Sequence, residues 1–327
     1  MATFRIGLAA PAKNPALGNV KGNGFLPQAV HDEFIALLKA DSRISDIVSC
    51  DFASCHVANG KVYQGDECLS DLDLVFWFQY TDSNPASYSN IILSTLARTT
   101  RVIPDPAPLA VARDKFHAHT ALRNAGIETA DFALFQSSAV HAVAEKISGK
   151  GDILLKPTLG DFGQGIHRVS GKRALIDAVE YAQSFSPTEL QIFCEVFEDN
   201  DLDRWISTTV IDGQLVYGYK KKPETFVDGW KVYDADRQGG HIDYVDPAPV
   251  REIVNRAIPV LGCDIIGFDF IYSARRKKYL VVDENIFPGM YPVCFDASRS
   301  GSWAEHFARM IFKRLPQTKE KAALKSG

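Results

Sequence analysis

Apolar positions in the first third of the chain alternate between two periods. The run from Arg5 to Ala9 is strand length, and Val30, Phe34, Leu37 and Leu38 then recur at i, i+4, i+7 and i+8, one face of a helix. Ile47 to Phe52 predicts a second strand. Asn59-Gly60 between Val57 and Tyr63 predicts a hairpin, because both residues tolerate positive φ. Leu74 to Phe78 is apolar at every position, as a strand buried on both faces would be. Tyr88, Ile91, Ile92 and Leu96 mark another helix. This alternation predicts a small α/β domain with a partly parallel sheet over residues 1–102.

Pro104, Pro106 and Pro108 break the pattern. Alternate prolines hold a chain extended and oppose a helix, so the boundary of a central domain, 103–187, is set here. One helix is then expected from about Leu109 to Ala125, with Gly126 as its stop. A strand over Phe132–Phe135, a helix over Ala139–Ile147, a strand over Ile153–Lys156, a glycine-rich turn into Ile166–Val169 and a helix over Arg173–Gln183 follow. The remainder, 188–327, is strand-rich. Leu190–Phe197, Trp205–Ile211 and Gln214–Tyr219 read as strands, the last two joined by Asp212-Gly213. A helix over Val250–Leu261 stops at Gly262, Ile265–Tyr272 and Tyr279–Val282 form a final strand pair, and an apolar-faced helix spans Trp303–Leu315.

Composition narrows the class. A chain of 327 residues is long enough for two or three domains, and 46% hydrophobic residues exclude general disorder. The net charge of −4 argues against nucleic acid as the main partner. No apolar run reaches the roughly 18 residues of a membrane span, and no signal-peptide pattern opens the chain. The six cysteines form no CxxC pair and read as reduced thiols. A cytoplasmic protein is the expectation.

Chemistry concentrates in three places. In Ile153-Leu154-Leu155-Lys156-Pro157-Thr158-Leu159-Gly160-Asp161-Phe162-Gly163-Gln164-Gly165, a strand ends in a lysine and enters a loop with three glycines. Backbone N–H groups in such a loop can point at phosphate oxygens, and Lys156 adds a charge. A plain glycine-rich hairpin has the same local sequence, and no Gly-Lys-Ser/Thr makes it a Walker loop. Second, Asp269 interrupts an apolar strand, while Asp283 and Asn285 share a face at the end of the next. Three oxygen donors converging on adjacent strands suit Mg²⁺, and a buried carboxylate without a cation is costly. Third, Lys220-Lys221-Lys222 continues an apolar strand toward Lys231, Arg237 and Gly239-Gly240. Alternation turns Lys220 and Lys222 to one face and Lys221 to the other. A solvated basic face is the competing account. His117 and His119, two apart on a helix, diverge, and no HExxH, zinc cluster or Gly-x-Ser-x-Gly elbow is present.

These motifs, in this order from about Ile103 to Gly289, resemble the ATP-grasp ligases, in particular the RimK-type group related to glutathione synthetase. Arg113-Asp114-Lys115 resembles the family's helix start whose lysine reaches phosphate. Leu190–Phe197 with Glu195 and Phe197 resembles the adenine hinge, and Asp203-Arg204 the Asp-Ile-Arg step after it. Three departures stand out: Asp283 occupies a position usually held by Glu, the connection from Asp269 to it is longer than the family's, and Phe193-Cys194-Glu195 replaces the usual Gln-Glu hinge pair. The resemblance implies an ATP-grasp fold, α/β with an α+β C-terminal part, behind an N-terminal Rossmann-like domain. It implies ATP and Mg²⁺ (Mn²⁺ as an alternative ion), with Asp269, Asp283 and Asn285 on the metal. Lys115, Lys156, Gly160, Gly163, Gly165, Glu195, Phe197 and Lys220 would hold nucleotide, and Arg204 and Arg237 would face the transferring phosphoryl group and acyl oxygen. The implied reaction joins a carboxylic acid, an amino acid or peptide by default, to an amine through an acylphosphate, releasing ADP. A nucleotide-binding scaffold and a small-acid kinase that stops at the acylphosphate are the rival expectations. Self-association is left open.

Overall fold

The computed structural model describes residues 3–12, 26–79, 81, 84–159, 165–199, 201–224 and 240–315. In the N-terminal part, β1 (Phe4–Ala9), α1 (Gln28–Ala40) and β2 (Ile44–Ser49) are followed by a three-stranded antiparallel unit, β3 (Cys55–Ala58), β4 (Lys61–Gln64) and β5 (Glu67–Cys68). β6 (Leu74–Trp77), α2 (Tyr88–Leu96) and β7 (Arg101–Ile103) complete a four-stranded parallel sheet of order β2-β1-β6-β7. Asn59 and Gly60 turn the hairpin with φ of 51° and 78°. Helix α2 buries Ile92, Leu93 and Leu96, leaving Ile91 and Tyr88 exposed. Its apolar stripe is thus rotated from the expected one, and the Tyr88 hydroxyl donates to the Cys55 carbonyl at 2.6 Å.

The prolines behave differently from expectation. Helix α3 (Pro106–Arg113) starts on Pro106 and includes Pro108, with the Asp105 carboxylate accepting from Ala107 N at 2.9 Å. The first turn of a helix leaves its N–H groups without intrahelical partners, so proline loses nothing there. The single expected helix is also divided: Asp114 takes φ −90° and ψ 113° and caps α4 (Lys115–Asn124), its carboxylate accepting from His117 N at 2.9 Å.

β8 (Phe132–Gln136), α5 (Val140–Ile147), β9 (Ile153–Lys156), β10 (His167–Val169), α6 (Gly171–Ser184) and β11 (Gln191–Val196) form an antiparallel sheet, β10-β9-β11-β8, with both helices on one face. β11 follows the boundary expected at 187 yet pairs with β8 and β9. The third sheet, order β14-β13-β12-β15-β16, is antiparallel throughout. It comprises β12 (Ile206–Ile211), β13 (Gln214–Lys222), β14 (His241–Val245), β15 (Ile265–Ser273) and β16 (Lys278–Asn285), with α7 (Arg251–Leu261) between β14 and β15. Phe268 and Phe270 pack with Val254, Ala257 and Leu261 of α7 and with Ala118 and Leu122 of α4. Finally α8 (Pro292–Ser298) covers Tyr217, and α9 (Trp303–Arg314) returns to the N-terminal sheet. β14 and α8 were not predicted: β14 carries three half-exposed or exposed polar residues among five, and α8 is too short for a helical period to register.

Candidate nucleotide and metal site

The face of the β8–β11 sheet opposite its helices meets the outer edge of β16, where Val281 N donates to the Glu128 carbonyl at 3.0 Å. Lys156 lies opposite Phe193 in the ladder, so Glu195, two residues along, is its diagonal neighbour on the same face. Their side chains form an ion pair at 2.5 Å, both nearly inaccessible. Lys156 Nζ also donates to the Val282 carbonyl at 3.3 Å. On the next residue of β16, the Asp283 carboxylate accepts from Lys115 Nζ at 2.5 Å. Burial opposes charge on Lys115, but the Asp283 carboxylate outweighs it and raises the pKa above that of an ordinary lysine. Lys115 N donates to Thr158 O at 3.0 Å, joining the start of α4 to the start of the glycine-rich loop.

Asp269 pairs with Asp283 across the β15–β16 ladder and Asn285 lies opposite Gly267, so all three project from one face. Asp269 is buried, and its Oδ1 has no hydrogen-bond partner. Lys221 Nζ is 3.5 Å from Asp269 Oδ2. Burial works against charge on Lys221, yet the net effect of Asp269 and its neighbours raises its pKa. Two carboxylates and an amide oxygen, one carboxylate oxygen being buried and unsatisfied, fit a hard divalent cation such as Mg²⁺. Among the described residues no group of three or more His, Cys, Asp and Glu side chains has metal-binding geometry.

The remaining expected residues fall as follows. Gly165 takes φ +71°, and a Cβ there would stand 2.9 Å from Pro157 Cγ, so glycine is required on both counts. Gly160, Gly163 and Arg237 lie outside the described residues. Phe197 is half-buried, with the Arg168 guanidinium 3.8 Å from its ring centroid. The lysine run alternates as expected, but Lys221 shares the Asp269 side, whereas Lys220 Nζ lies 3.6 Å from Asp203. Arg204 is not brought to the cluster. It pairs with Asp201 at 3.2 Å and stacks on Tyr272, whose position on β15 has the opposite parity to Asp269.

Sequence reasoning missed His119 and Glu284. His119 is fully buried one helical turn beyond Lys115, with Nε2 3.2 Å from Glu195 Oε1 and Nδ1 3.4 Å from Glu284 Oε2. Both approaches lie off the ideal hydrogen-bond line, so attraction between charges carries the contact. Burial disfavours the imidazolium, but the two carboxylates raise its pKa to about 10. Glu195, against the same penalty, is held down to about 2 by Lys156 and His119. The available signal was the i, i+4 spacing of Lys115 and His119, which places both on one helix face.

Three sheets in this order, with a lysine-bearing antiparallel sheet facing an acidic strand edge, make up an ATP-grasp fold. The chain is similar along its length to solved ATP-grasp structures. One is a RimK domain ATP-grasp protein from Sphaerobacter thermophilus DSM 20745, at 16% identity, 93% of this chain, 98% of that one and a TM-score of 0.63. Another is the ATP-grasp ligase PsnB complexed with minimal precursor, Mg and ADP, at 14% identity, 94% and 97% coverage and a TM-score of 0.59. A curated relative, the tetrahydromethanopterin:alpha-L-glutamate ligase of Methanosarcina acetivorans, is 26% identical over 227 residues, 65% of this chain and 67% of its own length. No family model matches the chain. Among the described residues no helix is long and apolar enough to cross a membrane.

Proposed function

We propose that the protein is an ADP-forming carboxylate–amine ligase that uses ATP and Mg²⁺ to build an amide bond on an amino acid or peptide. The observation that carries this reading is the face shared by Asp269, Asp283 and Asn285, with Lys115 on Asp283 and an unsatisfied buried oxygen on Asp269. The relatives support it: a glutamate ligase is similar in sequence over 227 residues, and a ligase solved with a precursor peptide shares the fold. The substrate carboxylate attacks the γ-phosphorus, the bond to the β–γ bridging oxygen breaks, and ADP leaves an acylphosphate. The amine then attacks the acyl carbon, expels phosphate and loses a proton to give the amide. Lys115 and Lys156 hold phosphate oxygens, Lys221 lies beside the reacting groups, and Asp269, Asp283 and Asn285 would hold the metal. Bound Mg²⁺ supplies charge neutralisation on the phosphoryl oxygens. Arg237 would orient the acid through two parallel hydrogen bonds.

The test supplies ATP, Mg²⁺ and candidate amino acids with hydroxylamine as the trapping amine. Hydroxamate and ADP in equal amounts are expected. AMP and pyrophosphate would overturn the mechanism. Hydroxamate without amide from any natural amine would leave an acid kinase.

A further inference from the structure

Three consecutive residues of β16 meet three basic side chains from two other elements. Lys156 of β9 takes the Val282 carbonyl, Lys115 of α4 takes the Asp283 carboxylate, and His119 of α4 faces the Glu284 carboxylate. Glu195 of β11 closes the group, holding Lys156 through one oxygen and His119 through the other. Among the described residues, Glu195, Asp283 and Glu284 are the carboxylates of this cluster, and Lys115, Lys156 and His119 its bases. The charges balance only when His119 carries a proton on both nitrogens. A neutral imidazole has one N–H, so its lone pair would face the other glutamate in a site closed to water. The rings of Phe132 and Phe193 stand 5.7 and 5.9 Å from the imidazole, edge-on, and confine its plane.

We propose that His119 is a positioning residue that remains an imidazolium in the folded protein and by that charge fixes Lys156 and Lys115 for nucleotide phosphate. The imidazolium occupies Glu195 Oε1, so Lys156 shares Glu195 rather than holding all of it. It also offsets Glu284, which would otherwise add an uncompensated negative charge next to the strand edge where phosphate is to bind. This inference rests on the nucleotide site proposed above.

Two measurements on the full chain test it. In protein labelled with ¹⁵N-histidine, one of the eight imidazoles is expected to remain doubly protonated at pH 8.5, and that signal is expected to vanish in His119→Gln. Eight neutral imidazoles at that pH would refute the proposal. Titration calorimetry with MgATP is the second. His119→Gln is expected to weaken binding at least tenfold. The double variant His119→Gln/Glu284→Gln, which removes one charge of each sign with neutral groups of similar size, is expected to recover to within about threefold of wild type. Unchanged affinity in the single variant, or losses that add in the double variant, would reduce His119 to packing and overturn the proposal. A wild-type protein that binds no MgATP would instead sink the nucleotide site itself, while the imidazole signal still reports the charge.

Discussion

Glu195 holds two cations at once, and its geometry makes the fold's response to pH specific. The His119 pKa rises from 6.5 to about 10, so its contribution to stability is complete below 6.5 and is lost as pH climbs through about 10. The Glu195 pKa falls from 4.5 to about 2, so its contribution is complete above 4.5 and is lost as pH falls through about 2. Thermal melts should therefore show highest stability between about pH 4.5 and 6.5, with an alkaline decline from 6.5 to 10 that His119→Gln abolishes. A melting temperature flat to pH 10 in the wild type would contradict the assignment. Lys156, Asp269 and Asp283 were legible in the sequence because each ends or interrupts an apolar run. His119 was not, because its partners come from two strands about 76 and 165 residues away, and nothing local links them. The parity of Lys220 and Lys221 was legible, but which parity faces the site depends on the β12–β13 register.

Among the elements, α4 carries most of the site's consequences on a short helix. Its first residue is Lys115, its fifth is His119, and its cap is the Asp114 carboxylate. Removing such a cap costs about 0.5–2 kcal/mol. Asp114→Ala should lower stability by about that much in urea titration, and should weaken MgATP binding more than a control at Asp105, whose capped helix carries neither residue. Equal effects on nucleotide binding would show that the cap matters only to folding. Strand and helix identities were readable wherever the period ran for two turns or five residues. The break at Asp114 was hidden from the apolar period, which runs on from Leu109 to Ala125, and was signalled only by the likeness of Arg113-Asp114-Lys115 to a family helix start. The prolines were misread because their effect depends on position: within a helix they disrupt, and in its first turn they fit.

Across the whole molecule, the lid sheet is fastened at both its entry and its exit to one hairpin turn. Glu198, just past β11, is buried and accepts from Arg275 Nη2 at 2.5 Å, Arg276 Nε at 2.8 Å and Ser273 Oγ at 2.9 Å. Arg276 also reaches Asp131, just before β8, at 3.2 Å. Arg276→Ala should leave the fold intact but raise amide hydrogen exchange across β8–β11, with β1 and β6 unchanged. Uniform exchange in both regions would mean the lid has no separate fastening. The sheet arrangement was legible only in part, because pairing of β11 with β8 and β9 rather than β12 follows from the path of the chain in space. The last helix carries a consequence of another kind. Phe307 of α9 packs within 6 Å of the rings of Phe34, Phe76 and Phe78, so the parallel sheet completes its apolar cover with residues translated about 200 positions after β7. At the usual 5–20 residues per second this leaves roughly 10–40 s in which a nascent sheet presents bare phenylalanines. Ribosome-bound intermediates of this protein should thus be natural clients of holdase chaperones until the α9 segment clears the exit tunnel.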